Sequence, residues 1–357
     1  MYKRQPLGTQ GGTNMAKMQK SLLPLSISLM SLALMISCGP KEMNSEEILE
    51  EYSSGVVLVA NTHYYSIEID DEELFYFSSY SDEDGLSGFT DDKDSISYAI
   101  SWGTGFFVSS DGMIATNSHV VNPKVDDKTI SKNFSKLFSA IKTQCQSEVD
   151  DYNMVIARLQ NLISYEYDED YYQMYQYAKQ QRDEYQEIVE NLSQVSASDI
   201  VVKPHCKISV GFSETHVTEM SDLESCVIMK DDPEHDLALI QLKSKHTPEY
   251  RAVFRVPENE EIEYSIDEKL YTISYNMGPA ISLTETGMRP QIQSGNISQI
   301  TDDIKILYSI PTLPGSSGSP VIDTYGNLVA INFAGISVTQ GFNYGIKVKH
   351  LKSILCQ

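Results

Sequence analysis

Positive charge is what this sequence has least of. Among 357 residues, 27 Lys and Arg stand against 50 Asp and Glu, a formal net charge of −23. Affinity for phosphate backbones comes from Lys and Arg, so this balance argues against a nucleic-acid partner. It says little about fold. Cysteine is scarce, with Cys38, Cys145, Cys206, Cys226 and Cys356 the five present. The cluster Pro204-His205-Cys206 is joined by no second Cys-x-x-Cys or His-x-x-x-His, so it lacks the ligand spacing of a metal site, and no cofactor is expected. A membrane-spanning run is missing too: the apolar stretch 22–36 is too short and too unevenly flanked to cross a bilayer. What remains is a hydrophobic content of 41%, enough for a globular body and too much for a disordered chain.

The apolar stretch has another use. Met15-Ala16-Lys17-Met18-Gln19-Lys20 precedes it and Ser37-Cys38 follows, the arrangement of a secretory signal. A cysteine placed there resembles the bacterial lipobox, with Met35 where Leu is usual, and the resemblance makes Cys38 the acylated first residue of a lipoprotein. The other reading is ordinary signal cleavage with Cys38 incidental. Residues 1–37 are read as a leader, and the mature protein is expected in the periplasm or on the cell surface, anchored to the membrane at Cys38. In an exported protein the other four cysteines allow about three pairings. Cys206 and Cys226 flank a strand–turn–strand and are the favoured pair.

The body is β-rich at both ends and helical in the middle. Short β-runs at roughly 8–12-residue spacing argue for a barrel or a sandwich, with an acidic loop at 68–94 read as solvated. Residues 100–108 and 113–121, joined by Ser110-Asp111-Gly112, read as a hairpin with His119 at the end of its second strand. Between 131 and 195 the apolar positions change period. Phe134, Phe138, Ile141, Cys145, Val149, Tyr152, Ile156, Leu159 and Ile163 step by threes and fours. After Tyr167-Asp168-Glu169-Asp170, so do Tyr171, Tyr175, Ala178, Arg182, Tyr185, Val189 and Leu192. This heptad spacing predicts an antiparallel coiled-coil hairpin of two helices, each about 25–30 residues and about 40–45 Å long. It is either a self-packed decoration or an arm that docks a protein partner.

The chemistry lies in three stretches. In Pro314-Gly315-Ser316-Ser317-Gly318-Ser319-Pro320, two glycines bracket a serine in a turn, where backbone N–H groups are able to hold an oxyanion. Such a serine needs a base and a group to orient that base. Thr116-Asn117-Ser118-His119-Val120-Val121 offers the base, and His235-Asp236-Leu237-Ala238-Leu239-Ile240 offers a carboxylate at the head of an apolar strand.

These stretches, in the order His, Asp, Ser, resemble those of the chymotrypsin-like serine peptidases, closest to the trypsin-like domain of bacterial HtrA/DegP-type proteases. There Gly-x-Gly-Phe, here Gly103-Thr104-Gly105-Phe106, precedes the His strand, and Asp-Leu-Ala-Leu carries the acid. The resemblance covers about 55–121 and 207–355 and implies a mainly β fold of two six-stranded antiparallel barrels, the first from 38–130 and 196–250 with the helical hairpin 131–195 inserted in it, the second from 251–357. It makes Ser317 the nucleophile, His119 the base and acid, and Asp236 the orienting group. The backbone of Gly315, Ser316 and Ser317 becomes the oxyanion region, with the Gly315 and Ser317 N–H groups as donors. Ser316 stands where Asn or Asp is usual, and Ser319 where Gly is. Pro311 and Thr312 would floor the primary specificity pocket. No acidic residue lies in 311–314, so a small or apolar P1 residue is expected rather than Lys or Arg. Asn332, Phe333, Ala334 and Gly335 would be the edge that pairs with substrate. No PDZ domain is expected. Two functions follow from these residues. One is a serine endopeptidase acting on protein or peptide through an acyl-enzyme. The other is an inactive trypsin-like scaffold that binds a partner through its hairpin.

Overall fold

The computed structural model divides into two units, Met1–Met43 and the body Asn44–Gln357. Its described residues are 41–69, 71–81, 85–123, 127–193, 200–257, 262–335 and 341–356. The signal-like run and Cys38 lie outside them. The body opens on helix α1 (Ser45–Tyr52), whose capping box pairs Asn44 with Glu47: the Glu47 N–H reaches Asn44 Oδ1 at 3.1 Å, and the Asn44 N–H reaches Glu47 Oε2 at 2.9 Å.

The first barrel is built around one long strand, β1 (Val56–Ile69). Along one edge it meets β7 (Ile200–Phe212) for its whole length, from Val57↔Phe212 to Ile69↔Ile200. Its other edge is shared. Val56–His63 pair with β5 (Ala99–Phe107), and Tyr65–Ile69 with β2 (Glu72–Phe77). From β5 the sheet continues through β6 (Met113–Thr116), β9 (Leu237–Leu242) and β8 (Glu224–Asp232) back to β7. Six strands thus close and β2 branches off. Val57, Val59, Phe107, Ile114, Val210 and Ile240 are among the side chains that fill this barrel. The second barrel is a closed ring of β10 (Lys269–Ser274), β13 (Gln291–Ile300), β14 (Lys305–Tyr308), β17 (Asn343–Lys347), β16 (Leu328–Gly335) and β15 (Pro320–Asp323) around Leu270, Ile306, Tyr308 and Val321. Small hairpins are formed by β3 (Ser79–Ser81) with β4 (Gly85–Ser87), and by β11 (Leu283–Thr284) with β12 (Gly287–Met288). The mainly β fold of two six-stranded barrels is the one expected from the sequence.

Two terminal helices tie the barrels together. α1 precedes the first barrel but lies against β10 and β13 of the second. The last helix, numbered α6 below (Val348–Cys356), follows the second barrel but lies against β9 of the first. There the Lys230 ammonium donates to Ile354 O at 2.9 Å. β9 is therefore covered on both faces, and all six of its residues are buried. This explains its near-continuous apolar reading.

The helical segment is an antiparallel hairpin of unequal arms, α3 (Asp127–Tyr165) and α4 (Glu169–Leu192), after the single turn α2 (Ser118–Val121). The expectation of two similar helices is corrected: α3 has 39 residues, about 58 Å at ~1.5 Å per residue, and α4 has 24. The acidic break is the cap of α4, with Asp168 accepting from Asp170 N–H at 2.8 Å. Ile141, Cys145, Val149, Ile156, Leu159 and Ala178 are buried along the seam. The side chains of Phe134, Phe138 and Leu192 lie outside those described. The acidic segment also departs from expectation. It is no solvated loop, because Phe75 and Phe77 of β2 are buried with Tyr65, Ile67, Ile141 and Cys145, in the core that anchors the arm. Its charges decorate a strand whose aromatic residues do the packing. The remaining short helix, α5, is Pro279–Ser282.

Cys145, Cys206, Cys226 and Cys356 are all free thiols. The favoured Cys206–Cys226 bridge is absent because Ser209 pairs with Ser225, a register that directs Ile208 rather than Cys206 toward Cys226. Burial pushes the Cys145 thiol up to about 11 and the Cys226 thiol up to about 12. At pH 8 the reactive thiolate of Cys226 is then about one part in 10⁴. Maleimide at pH 8 is expected to modify exposed Cys356 within minutes, and Cys145 and Cys226 only after denaturation. Mass-mapped adducts check this, and a pair that stays unreactive in denaturant without reductant would contradict the free thiols.

Candidate active site

The site begins with strand register. β6 pairs with β9 so that Thr116 faces Ala238. The chain beyond β6 and the chain before β9 therefore emerge at the same end of the ladder. His119 lies three residues past Thr116, and Asp236 two before Ala238. His119 is not at the end of a strand, as expected, but on α2, because β6 stops at Thr116 and the chain turns into a helical turn behind Asn117.

Asp236 adopts φ +50, a left-handed conformation that Asp tolerates better than most residues. From there its carboxylate grips His119 twice. Oδ1 accepts the His119 backbone N–H at 2.9 Å, and Oδ2 meets His119 Nδ1 at 2.7 Å. The Asn117 amide donates to Asp236 O at 2.8 Å and closes the unit. A carboxylate only accepts, so Nδ1 carries the proton and Nε2 is left as the acceptor. The imidazole is about half exposed, with 45% of its side-chain surface open against 17% for Asp236.

The serine turn belongs to the second barrel but is held by the first. The Thr104 N–H of β5 donates to Ser317 O at 2.8 Å, and Thr104 Oγ1 donates to Gly315 O at 2.7 Å. The Gly318 N–H donates to Asn332 O at 2.9 Å. Gly318 has φ +86, and a Cβ there would lie 2.2 Å from Thr104 O and 2.3 Å from Thr116 Oγ1. The turn thus wedges against the strands that lead to His119. The Ser317 hydroxyl and His119 Nε2 make no hydrogen bond with any described residue, so both are uncommitted. The N–H groups of Gly315 and Ser317 likewise have no acceptor among the described residues. That of Ser316 donates to Leu313 O at 3.0 Å and is corrected out of the oxyanion donors.

The two unusual serines have physical partners. Ser319 is fully buried and its hydroxyl turns inward, donating to Ser316 O at 2.6 Å. It therefore does not crowd the Ser317 hydroxyl. Ser316 is met from across the turn by the amide of Asn332, which donates to Ser316 O at 2.9 Å and to Ser316 Oγ at 3.1 Å. The amide expected at 316 is supplied by β16 instead. The Asn332 backbone, expected to pair with substrate, is also committed to the turn, its N–H donating to Ser319 O at 2.8 Å and its O accepting from the Gly318 N–H at 2.9 Å. The Asn332 side chain is buried, and its Oδ1 accepts from the Tyr308 hydroxyl at 2.7 Å. Phe333 remains at the site, its ring edge-on to His119 with centroids 6.5 Å apart and the Lys305 ammonium 4.8 Å above it. Ala334 and Gly335 follow on β16, with Gly335 opposite Asn343. Pro311 is exposed and Thr312 half-buried at the entrance to the turn. Sequence reasoning missed Thr104, Asn117 and the true place of Asn332. Asn117 and Thr104 stood inside quoted motifs, but their roles depend on partners more than 100 residues away.

Gly318→Ala is expected to push the turn off Thr104 and Thr116 and to cut the reactivity of Ser317 by about 100-fold or more, since misplacement by about 1 Å costs that much. Active-site titration against wild type checks it. An equally reactive variant would mean that the wedge is not needed.

Residues 193–331 match the family described as the trypsin-like peptidase domain. That stretch contains Asp236 and Ser317, while His119 reaches the site from the part of the first barrel before it. No protein in the curated comparison matches. Among solved structures, the serine endoprotease from Yersinia pestis is similar over 88% of this chain and 66% of that chain, at 12% identity and a TM-score of 0.44. This chain thus spans just under two thirds of that protein's length. By this match the stretch 193–331, which carries Asp236 and Ser317, is similar to a trypsin-like peptidase domain.

Proposed function

We propose that the protein is an exported serine endopeptidase that hydrolyses peptide bonds through Ser317, His119 and Asp236. One observation carries this reading: the Asp236 carboxylate holds both the backbone and Nδ1 of His119, beside a turn whose serine hydroxyl is free. His119 Nε2 takes the Ser317 proton as Oγ attacks the scissile carbonyl. The N–H groups of Gly315 and Ser317 receive the oxyanion, a contribution worth about 10²–10³-fold per donor elsewhere. His119 then protonates the leaving amine, and the acyl-enzyme on Ser317 is hydrolysed by water that His119 activates in turn. The substrate backbone adds as a strand along β16 beyond Asn332, with Phe333 flanking the side chain next to His119. Without an acidic residue in 311–314, the P1 side chain is small or apolar.

A fluorophosphonate is expected to label Ser317, and Ser317→Ala and His119→Ala to abolish the label. Asp236→Asn should slow it by about 10⁴-fold, by forcing the wrong imidazole tautomer. Peptidyl phosphonates with Ala or Val at P1 should outpace those with Lys. Folded wild-type protein that takes no label would leave the inactive scaffold as the reading. Lys17 and Lys20 ahead of 22–36, with Cys38 behind, support export and a lipid anchor. Metabolic labelling with palmitate should mark the protein, and Cys38→Ala should remove the mark. Equal incorporation in the variant would refute the anchor.

A further inference from the structure

The single turn that carries His119 is poorly equipped to hold itself. α2 has four residues, closed by the Asn122 N–H to Ser118 O bond at 2.8 Å and a longer Val120 N–H to Asn117 O bond at 3.3 Å. One turn of helix fixes several dihedrals for one hydrogen bond and is unstable alone. Its N-cap Asn117 makes no cap: its side-chain N–H donates to Asp236 O, and its Oδ1 accepts from no described N–H. Something outside the turn must set its orientation, and with it the direction of His119 Nε2.

We infer that Asp231 is the positioning residue for the catalytic base, clamping both ends of α2 with one carboxylate. Oδ1 accepts from the Ser118 hydroxyl at 2.5 Å, and Oδ2 accepts from the Asn122 amide at 2.8 Å. Ser118 is the first residue of the turn and Asn122 its C-cap, so the two bonds bracket His119. Asp231 sits at the end of β8, opposite Ala238 of β9, which is itself opposite Thr116 of β6. One row across three strands thus fixes the clamp relative to both the base and the acid. Two other holds each grip one backbone point of the turn: Asn61 donates to Val120 O at 3.0 Å, and Asp236 Oδ1 accepts the His119 N–H at 2.9 Å. The neighbouring residue on β8 serves the other partner. Asp232 Oδ2 meets His235 Nδ1 at 2.8 Å and holds the turn from which Asp236 projects. Consecutive strand residues point to opposite sides, so two adjacent carboxylates are able to serve two different segments.

This role rests on the peptidase reading, and two readouts keep the two claims separable. The first is the rate of Ser317 labelling by a fluorophosphonate in the full chain. Asp231→Ala is expected to slow it about 30-fold with the near-ultraviolet spectrum unchanged, because α2 is no longer held at either end. Asp231→Asn is expected to stay within about threefold of wild type. Its Oδ1 still accepts from Asn122, and its amide donates to Ser118 Oγ, which switches to acceptor. The second readout needs no activity: the downfield proton resonance of His119 Nδ1–H on Asp236. It should broaden or shift in Asp231→Ala and persist in Asp231→Asn. Asp231→Ala with wild-type rate and resonance overturns the inference, and so does Asp231→Asn as slow as Asp231→Ala. If Asp231→Ala does not fold, Ser118→Ala/Asn122→Ala removes the same two bonds from the other side, and an unchanged rate or resonance there is equally decisive. Wild-type protein that takes no label refutes the peptidase reading alone, and the resonance then decides the positioning.

Discussion

The site depends on the antiparallel ladder between β6 and β9, because that pairing alone brings two segments separated by the whole helical arm to one end of one sheet. A slip of one residue would turn each side chain to the other face and separate His119 from Asp236. Both faces of the ladder are enclosed there, with Ile114, Ala115, Ala238 and Ile240 all buried, so each side chain is fitted to the packing of its own face. Energetics at the junction favour the observed geometry. A left-handed Asp costs of order 1–3 kcal/mol. Two hydrogen bonds to a charged carboxylate contribute about 1.5–3 kcal/mol each. The grip on His119 therefore offsets the strain at Asp236 even when discounted for the half-open position of the imidazole.

The serine turn faces a different problem, since it belongs to the other barrel. Its solution is reciprocal. Thr104 of the first barrel holds the carbonyls of Gly315 and Ser317, while Asn332 of the second holds the carbonyl and hydroxyl of Ser316. With these carbonyls occupied, the turn's remaining N–H groups point where no protein acceptor competes. The exchange of an amide on the turn for an amide on β16 keeps the same hydrogen-bonding chemistry with the partners reversed. Helices α1 and α6 cross between the barrels and limit how far one half of the site can drift from the other.

The long arm leaves from just beyond α2 and returns into β7, the strand that closes the barrel. It is thus spliced into the first barrel without breaking the ladder that makes the site. Its root shares a core with Phe75 and Phe77, so the acidic segment and the arm stabilise one another. Its far end exposes Tyr165, Tyr167, Met174 and Tyr177.

Much of this was legible in the residues. Alternating β-runs, the switch to heptad spacing after residue 130, and the bracketing glycines at 315 and 318 are local patterns, and local patterns are what periodicity and φ preference report. The order His119, Asp236, Ser317 carried the family resemblance. The lengths of the two helices, the branch of β2 from β1 and the free thiols were not legible, because each depends on which strands pair and in what register. The same holds for Asn332 and Asp231. The resemblance makes Asn332 part of a substrate edge and nothing local marks Asp231, because their partners lie 16 residues and more than 100 residues away in the chain. The sequence by itself determined which side chains were able to do the chemistry. Only the tertiary structure decided which backbone groups were free and which polar side chains orient the reacting ones, because a hydrogen bond is a property of two groups and the second one is chosen by the fold.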